Sequence, residues 1–355
     1  MNVLTVYIVK EILKASAVAV TLLLTLFTLF TFRDELKDLG HGGYGLKQIL
    51  MYLAYTAPTV FYELVPFAAL LGSLFVVGAM GSNCEIVAMR AAGYSIFWII
   101  KSVMLAGLVM VIIAFLVGEF IAPKAVREAQ LIKMLSQKNE VAIRSKYGVW
   151  LKEKDEFINV RRIKGKGELA EVYRYRVNEN DQLLTMTKID TASFRGNGLW
   201  SIMGVRQSEI APKQVFSSRL DSSEWRTSIE PDLLNVAVVK SDNMSLYDLY
   251  MYIDFLKQNK QKSQTFELAF WSRLINPLVV FVMLMVSVPF VVGIKRGIST
   301  GGRMMAGIVI GMMFNIFDKI AGHVGLVYGF DPMIMAILPS ALVFCSAVFA
   351  VTKVK

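Results

Sequence analysis

The hydrophobic pattern of this chain consists of three long apolar segments, a mixed polar block over residues 122–267, and three more apolar segments. The apolar segments are Ser16–Phe32, Pro58–Met80, Phe97–Ile121, Leu268–Ile294, Met304–Val324 and Met333–Val351. As helices, which rise about 1.5 Å per residue, all are long enough to cross about 30 Å of hydrocarbon with at most slight thinning. The pattern therefore predicts six membrane spans and a large insert after the third.

The orientation of the spans follows from Lys and Arg, because short cytoplasmic loops retain positive charge. Basic residues precede the first span, join the second to the third and the fourth to the fifth, and follow the sixth: Lys10, Lys14, Arg90, Lys101, Lys295, Arg296, Arg303, Lys353 and Lys355. Both termini are therefore expected in the cytoplasm. By alternation, the insert is expected on the opposite side of the membrane.

The insert changes to short alternating apolar segments that are separated by turn-forming residues. Seven strands are predicted, at Tyr147–Lys152, Phe157–Ile163, Glu171–Val177, Leu183–Thr191, Gly198–Gln207, Lys213–Ser217 and Glu224–Ile229. This spacing is typical of an antiparallel sandwich or jelly roll. Ser245 and Asp248 then form an N-cap pattern for a helix at Leu246–Gln258. The predicted fold class is an α-helical six-span membrane protein with an inserted all-β, jelly-roll-like domain.

Composition narrows the possible functions. Hydrophobic residues make up 55% of the chain, which excludes a soluble globular protein. The net charge of +10 would suggest nucleic acid for a soluble protein, but here much of it lies in the cytoplasmic loops, and no nucleic-acid partner is expected. The two cysteines, Cys84 and Cys345, are both predicted at the cytoplasmic side, so the insert has no disulfide to form.

The sequence also lacks the common catalytic patterns. No G-x-x-x-x-G-K-[ST] phosphate loop occurs, so the chain has no P-loop for ATP. His41 and His323 are the two histidines, and there is no H-E-x-x-H or paired-cysteine pattern for a metal. We therefore expect neither a catalytic site, nor a metal site, nor a cofactor in this chain.

A short polar stretch at residues 82–93, between the second and third spans, predicts a separate cytoplasmic helix. Ser82 and Glu85 have the spacing of a capping box, and Gly93 supplies a stop. One interpretation is an interfacial helix with Glu85 as its cap. The other is a docking helix that presents Glu85, Met89 and Arg90 to a partner.

The same region carries a specific resemblance. Glu63-Leu-Val-Pro66-Phe-Ala-Ala-Leu-Leu-Gly72, followed by Ser82-x-x-Glu85-Ile-x-Ala-Met-Arg-Ala-Ala-Gly93, resembles the permeases of the lipopolysaccharide exporter, the LptF/LptG family. Supporting matches are Phe32-x-Asp34-x-Leu36-Lys37, Gly118-Glu-Phe-x-Ala122-Pro123, Leu326-Val-Tyr-Gly329 and Leu338-Pro339-Ser340. The resemblance covers essentially the whole chain, and the G subunit fits better than the F subunit.

The resemblance implies the permease half of an ABC transporter in the bacterial inner membrane, with a periplasmic jelly roll. The implied partners are a homologous second permease (LptF), two copies of a cytosolic ATPase (LptB) that bind ATP and Mg²⁺, a single-span accessory protein (LptC) and a periplasmic bridge protein (LptA). Such permeases take lipopolysaccharide from the outer leaflet through a side gate. The expected domains are 1–121 with the docking helix, 122–267, and 268–355.

Several residues are candidates for contact with the lipid. Arg33 and Lys37 lie one helical turn apart at the outer end of the first span, where they would meet lipid phosphates or simply extend to the interface beside Asp34. In the fifth span, Lys319 is a candidate for substrate contact or for an ion pair with a neighbouring helix. Met313, Phe314 and Phe317 are candidates for an acyl-chain cavity, with helix packing or lipid contact as the alternative.

Acyl chains need an apolar path above the membrane, because exposing one methylene to water costs about 0.8 kcal/mol. Trp150, Phe157, Trp200 and Ile202 are the candidates for a groove in the β domain, with core packing as the alternative for at least half of them. Three other functions stay open: a permease for a different envelope lipid, a membrane sensor with a β ectodomain, and an intramembrane hydrolase built on Glu63 and Asp318.

Overall fold

A computed structural model describes the chain over residues 3–136, 149–165, 167–178, 182–211, 214–231, 241–289 and 300–353. It divides into two compact units. The first, here called the membrane unit, contains Met1–Leu39, Leu46–Gln130 and Gln264–Lys355. The second, here called the β unit, contains Gly40–Gly45 and Leu131–Ser263.

The described helices include six that are long and apolar enough to span a membrane. In chain order the helices are α1 (Val3–Glu35), α2 (Leu46–Ser82), α3 (Glu85–Ala91), α4 (Ile96–Leu116), α5 (Ala122–Ser136), α6 (Leu246–Gln258), α7 (Gln264–Ser287), α8 (Thr300–Tyr328) and α9 (Pro332–Lys353). The six predicted spans are confirmed. Residues 290–294 of the predicted fourth span lie outside the described residues.

Helix α2 is the centre of the membrane unit, and it packs against α1, α4, α7 and α8. One apolar cluster joins the first part of α1 to α2, α3 and α4, through residues such as Ile12, Val77 and Met89. A second cluster joins the middle of α2 to α7, α8 and α9. Close approach of α1 to α2 requires Gly72, since a Cβ there would lie 2.3 Å from Oγ of Ser16.

The β unit contains one described six-stranded antiparallel sheet with the strands in sequence order. The strands are β1 (Val149–Glu153), β2 (Glu156–Gly165), β3 (Glu168–Val177), β4 (Leu183–Gly196), β5 (Leu199–Ala211) and β6 (Gln214–Arg226). The first five predicted strands are confirmed with adjusted ends, and residues 147, 148 and 213 of the predicted strands lie outside the described residues. The prediction of two separate strands at Lys213–Ser217 and Glu224–Ile229 is wrong, because the polar residues between them continue the pairing of β6 with β5.

The long sheet folds over its own apolar face. Along β5 the buried positions change from Val205 to Ile202, on either side of Gly204, which has a φ of +66°. The guanidinium of Arg174 on β3 then lies 5.1 Å from the ring of Trp225 on β6, although these residues occupy distant positions in the sheet. An antiparallel all-β insert is thus confirmed, and within its single described sheet β6 folds back toward β3.

Helix α6 matches its predicted bounds, and its predicted cap is confirmed. The hydroxyl of Ser245 accepts a hydrogen bond from the amide of Asp248, and the Asp248 carboxylate accepts one from the amide of Ser245. After the helix, the Gln261 side chain donates to the carbonyl of Lys152, 3.0 Å away. This contact covers part of the exposed edge of β1.

Candidate functional site

Helix α1 is packed along its first half and uncovered along most of its second half. Its buried residues are Ile8, Val9, Ile12, Ser16 and then Glu35. Between the last two, the exposed large apolar side chains are Val18, Leu22, Leu26, Phe27, Leu29 and Phe30. A hydrophobic surface of this length needs lipid or another apolar partner.

Helix α8 has a second uncovered apolar face. Its exposed residues follow the helical period at Met305, Ile308, Val309, Met312, Met313, Ile316, Phe317 and Ile320. Met313 is 65% exposed and Phe317 is 38% exposed, which fits both the acyl-cavity interpretation and its alternative of lipid contact. Phe314 points to the other side of the helix, where it packs with Leu70 and Met283. Its assignment to an acyl cavity is therefore wrong, because the 3.6-residue period separates it from its neighbour.

The predicted basic residues lie at exposed positions. Arg33 is in the last turn of α1, and Lys37 is in the 3₁₀ turn Leu36–Asp38 that follows. The Lys37 ammonium contacts the Asp34 carboxylate at 2.8 Å, and both side chains are well exposed. Solvent-exposed pairs of this kind contribute little to stability. Lys319 is exposed on α8.

The short helix α3 forms as predicted, but its cap differs. The hydroxyl of Ser82 donates to the carbonyl of Gly78 within α2, so the predicted capping box with Glu85 is wrong. The N-cap is Cys84, whose φ of 61° makes the turn between the helices. At the other end Gly93 has a φ of +92°, and the amides of Gly93 and Tyr94 bond back to Arg90 and Met89, which confirms the predicted stop.

The three docking candidates on α3 do not share one exposed face. Met89 is 7% exposed and packs in the cluster that contains α1 and α4, so its presentation to a partner is corrected. Arg90 is exposed beside Val87. Glu85 is half-buried and accepts a hydrogen bond from the hydroxyl of Tyr7 at 3.2 Å. An open apolar pocket lies beside this surface, lined in part by Ile86, Val87 and Arg90.

A buried ion pair that the sequence analysis missed joins three spans of the membrane unit. Nε of Arg273 on α7 lies 3.5 Å from the carboxylate of Glu119, and both side chains are largely buried. Glu119 belongs to a single π-helical turn, Val117–Ile121, between α4 and α5. The Arg273 guanidinium also donates to the carbonyl of Gly118, and the Tyr62 hydroxyl donates to the backbone carbonyl of Arg273 at 2.9 Å.

A signal for this pair exists in the sequence. Glu119 lies near the end of the third apolar segment and Arg273 near the start of the fourth, so charges of opposite sign occupy the same end of two spans. Charged groups inside spans are costly unless they are paired. The insert that separates them in the chain hides this relationship.

The four groove candidates in the β unit lie on opposite faces of the sheet, which corrects their assignment to one lining. Trp200 and Ile202 are buried in the core at 0% and 3% exposure. Trp150 is 54% exposed and stacks on Tyr175, on the face that also carries Phe157. The buried positions of β5 shift by one residue at Gly204, and this shift places Trp200 and Ile202 on the opposite face from Trp150 and Phe157.

The face of the sheet that carries the buried core residues also carries exposed apolar residues on β6. Phe216 and Leu220 on β6 lie opposite Glu209 and Val205. Val205 is buried, whereas Phe216 and Leu220 are 60% and 48% exposed. Pairing directly across a sheet places side chains on the same face. The inner face at this end of the sheet therefore offers uncovered apolar side chains.

Comparison with known proteins gives the family. The family model of the lipopolysaccharide export system permease LptF/LptG matches residues 6–353. The permease protein LptG of Escherichia coli (strain K12) is 32% identical over 345 residues, covering 97% of this chain and 96% of the relative. LptG of Haemophilus influenzae is 30% identical over 342 residues, covering 96% of each. The chain therefore belongs to the lipopolysaccharide export system permease LptF/LptG family.

Proposed function

We propose that this chain is one of two permease subunits of an ABC transporter, which takes lipopolysaccharide from the outer leaflet of the inner membrane and passes it toward a periplasmic bridge. The observation that carries this proposal is the pair of uncovered apolar faces on α1 and α8 in a bundle whose central helix α2 is mostly buried. The named activity of the E. coli and H. influenzae relatives, lipopolysaccharide export, supports it.

The proposed orientation has both termini and α3 in the cytoplasm and the β unit in the periplasm. The basic residues near α3 and at the chain ends support this orientation by the positive-inside rule. In this arrangement Arg33 and Lys37 lie at the outer headgroup level. There, an exposed lysine held by one carboxylate is free to exchange that partner for a lipid phosphate.

The uncovered faces of α1 and α8 are the proposed contacts with the second permease and the lipid. Residues such as Phe27, Met313 and Phe317 would border a lateral opening through which acyl chains enter. Apolar side chains and thioethers suit this role, because they contact acyl chains without demanding hydrogen bonds. Lys319 would lie at the border of the same opening.

The proposed partners follow the family arrangement: a homologous permease, two copies of a cytosolic ATPase, a single-span accessory protein and a periplasmic bridge protein. ATP and Mg²⁺ would bind to the ATPase. Helix α3 would transmit the conformational change of the ATPase through Glu85 and Arg90. The pocket beside Val87 would receive an apolar side chain of the ATPase. The N-terminal part of α1 packs in the same cluster as Met89, which links α3 to a helix that borders the proposed lateral opening.

The β unit would receive the acyl chains on its inner face. Phe216 and Leu220 extend that face beyond the packed core, and β6 is an edge strand with almost every residue exposed. An exposed edge strand is a template for pairing with another sheet. We therefore propose that β6 carries the lipid path and pairs with the next protein of the bridge.

Site-specific photocrosslinking in proteoliposomes tests this route. A crosslinker at Met313 should capture lipopolysaccharide without ATP, whereas one at Ile112, an equally apolar exposed position on α4, should not. A crosslinker at Phe216 should capture the lipid only when the ATPase hydrolyses ATP. Its control is Val215, which is 62% exposed but points to the other face of β6. Equal capture at Phe216 and Val215 would contradict the inner-face route.

Two further measurements separate this function from its alternatives. The purified chain should hydrolyse no ATP, and hydrolysis should appear when the cytosolic ATPase is added. Turnover by the isolated, contaminant-free chain would contradict the assignment. Mass spectrometry of lipids that copurify with the complex should identify lipopolysaccharide, and a different enriched envelope lipid would favour the alternative permease function.

A further inference from the structure

A transverse row of basic residues crosses the outer face of the sheet in the β unit. Lys188 on β4 lies directly opposite Arg206 on β5, which lies directly opposite Arg219 on β6. Neighbouring strands are about 4.8 Å apart, so the Cα atoms of these three residues lie within about 10 Å of one another. Arg206 and Arg219 are exposed and Lys188 is half-buried.

Repulsion within this row of like charges lowers the stability of the folded protein. Like charges directly opposite on a sheet repel each other. The Asp190 carboxylate, 3.3 Å from Arg206, offsets part of the repulsion, and that pair is about half exposed. A bound anion would remove the remaining repulsion, and arginine side chains are well suited to phosphate because their guanidinium groups bind two oxygens at once.

Aromatic side chains extend the basic row on the same face. Tyr173 on β3 is directly opposite Lys188, and its ring lies 5.7 Å from that ammonium and 4.7 Å from the guanidinium of Arg161. Beside it, Trp150 and Tyr175 stack with ring centroids 5.7 Å apart. Flat aromatic surfaces beside cations match a sugar phosphate, whose ring presents C–H groups and whose phosphate presents charge.

We propose that this outer face, defined by Trp150, Tyr173, Lys188, Arg206 and Arg219, binds the phosphorylated oligosaccharide of the transported glycolipid. The proposal rests on the proposed function, which supplies a ligand with both sugars and phosphates. It assigns separate faces of one domain to the two parts of the lipid. The inner face takes the acyl chains, and the outer face takes the charged sugars.

Binding of a defined probe to the full-length chain in detergent tests the site. The probe is the oligosaccharide released from lipopolysaccharide by complete deacylation, which keeps sugars and phosphates but has no acyl chains. The triple variant Lys188→Gln/Arg206→Gln/Arg219→Gln should raise its Kd at least tenfold. The matched control Lys164→Gln/Arg195→Gln/Arg226→Gln removes the same charge from exposed strand ends and should change the Kd less than twofold.

Three further arms identify the ligand. Dephosphorylated oligosaccharide should bind the unmodified chain as weakly as the phosphorylated probe binds the triple variant. Trp150→Ala should weaken the binding of both oligosaccharides several-fold, because stacking of a sugar on the indole ring does not depend on phosphate. Vesicles of phosphatidylglycerol should not compete with the probe. Equal losses in both triple variants, or binding of vesicles but not of oligosaccharide, would overturn the proposal.

Lipid export measured in parallel separates this inference from the proposed function. If the chain exports lipopolysaccharide but the triple variant binds the probe normally, the outer-face site is wrong and the permease function stands. If the probe binds through the row but reconstituted complexes export no lipopolysaccharide, the permease function fails and the binding site stands. Intrinsic tryptophan fluorescence of the charge variants should show that the core around Trp200 and Trp225 is unchanged.

Discussion

The carboxylate of Glu153, at the end of β1, accepts hydrogen bonds from both the amide and the hydroxyl of Ser228, at 2.7 and 2.6 Å. Thr227 donates to the same carboxylate. β1 and β6 are opposite edges of the sheet, and Ser228 follows the end of β6. These contacts fasten the two edges to each other and close one end of the folded sheet, whereas the start of β6 stays open.

Replacing Glu153 with alanine should loosen this closure. Three hydrogen bonds to a charged acceptor are lost, and a net cost of about 2–4 kcal/mol in unfolding free energy is expected for the β unit. Denaturant unfolding followed by tryptophan fluorescence measures this cost. Hydrogen exchange should accelerate at the amide of Ser228.

The control for this experiment is Glu153→Gln, which keeps one carbonyl acceptor in place and should show a smaller loss. Ser228→Ala removes the hydroxyl donor but keeps the amide donor of that residue. Its unfolding free energy should lie between those of the wild-type chain and Glu153→Ala. Unchanged exchange at the Ser228 amide in Glu153→Ala would show that other contacts close the sheet.

Stability of the β unit should depend on pH through Glu156. Burial favours the neutral form of this carboxyl, but its hydrogen bonds and ion pairs with Arg174 and Arg176 outweigh burial and hold its pKa below the usual value. A lowered folded pKa means that the stabilisation is present above the unfolded pKa, about 4.3, and is lost as pH falls through the folded pKa.

The unfolding free energy of wild type should therefore fall on acidification across this window. The Glu156→Gln variant should be less stable at neutral pH and should show a flatter acid dependence. Equilibrium unfolding at a series of pH values measures both quantities. Parallel acid profiles for the two proteins would assign the pH dependence to other carboxyl groups.

The ion pair of Glu119 and Arg273 should hold three spans together. Removing one partner leaves a buried charge, and a cost of roughly 3–5 kcal/mol is expected for Glu119→Gln or Arg273→Gln alone. The double variant should lose less than the sum of the single losses. A double-mutant cycle, measured as resistance to unfolding in detergent, gives the coupling energy directly. Additive losses would mean that the two charges do not interact.

Coupling of ATP hydrolysis to export should depend on the charge of Glu85. Its side chain caps no helix, so Glu85→Gln and Glu85→Ala should both reduce lipopolysaccharide release per ATP hydrolysed, by several-fold, in a reconstituted complex with the ATPase. Tyr7→Phe removes the hydrogen bond from the Tyr7 hydroxyl to Glu85 and should have a smaller effect. Normal transport by both Glu85 variants would exclude this residue from coupling.

Local patterns in the sequence determined much of the architecture. The six spans follow from apolar segments whose length matches the bilayer, because a segment's own residues determine whether it is long and apolar enough to cross. The capped helix at Leu246–Gln258 and the stop at Gly93 follow from backbone requirements that neighbouring residues satisfy. The family resemblance likewise rests on short motifs.

The predictions that failed required knowledge of which face a residue occupies. Ser82 and Glu85 have capping-box spacing, yet α2 continues through Ser82 because its hydroxyl and backbone bond within that helix. Met89 and Phe314 have the right residue types for their predicted roles, but helix packing directs both into apolar clusters. Spacing alone does not record which neighbour a helix packs against.

The sequence by itself determined the spans, the all-β insert and the absence of a P-loop, since each depends on residues that are close in the chain. The tertiary structure decided the contacts between distant residues: the pairing of Glu119 with Arg273 across the insert, and the folding of the sheet that joins Glu153 to Ser228. Folding also separated Trp150 from Trp200, because paired strands and a fold at Gly204 assign them to opposite faces. Burial and charge pairing in three dimensions make these choices.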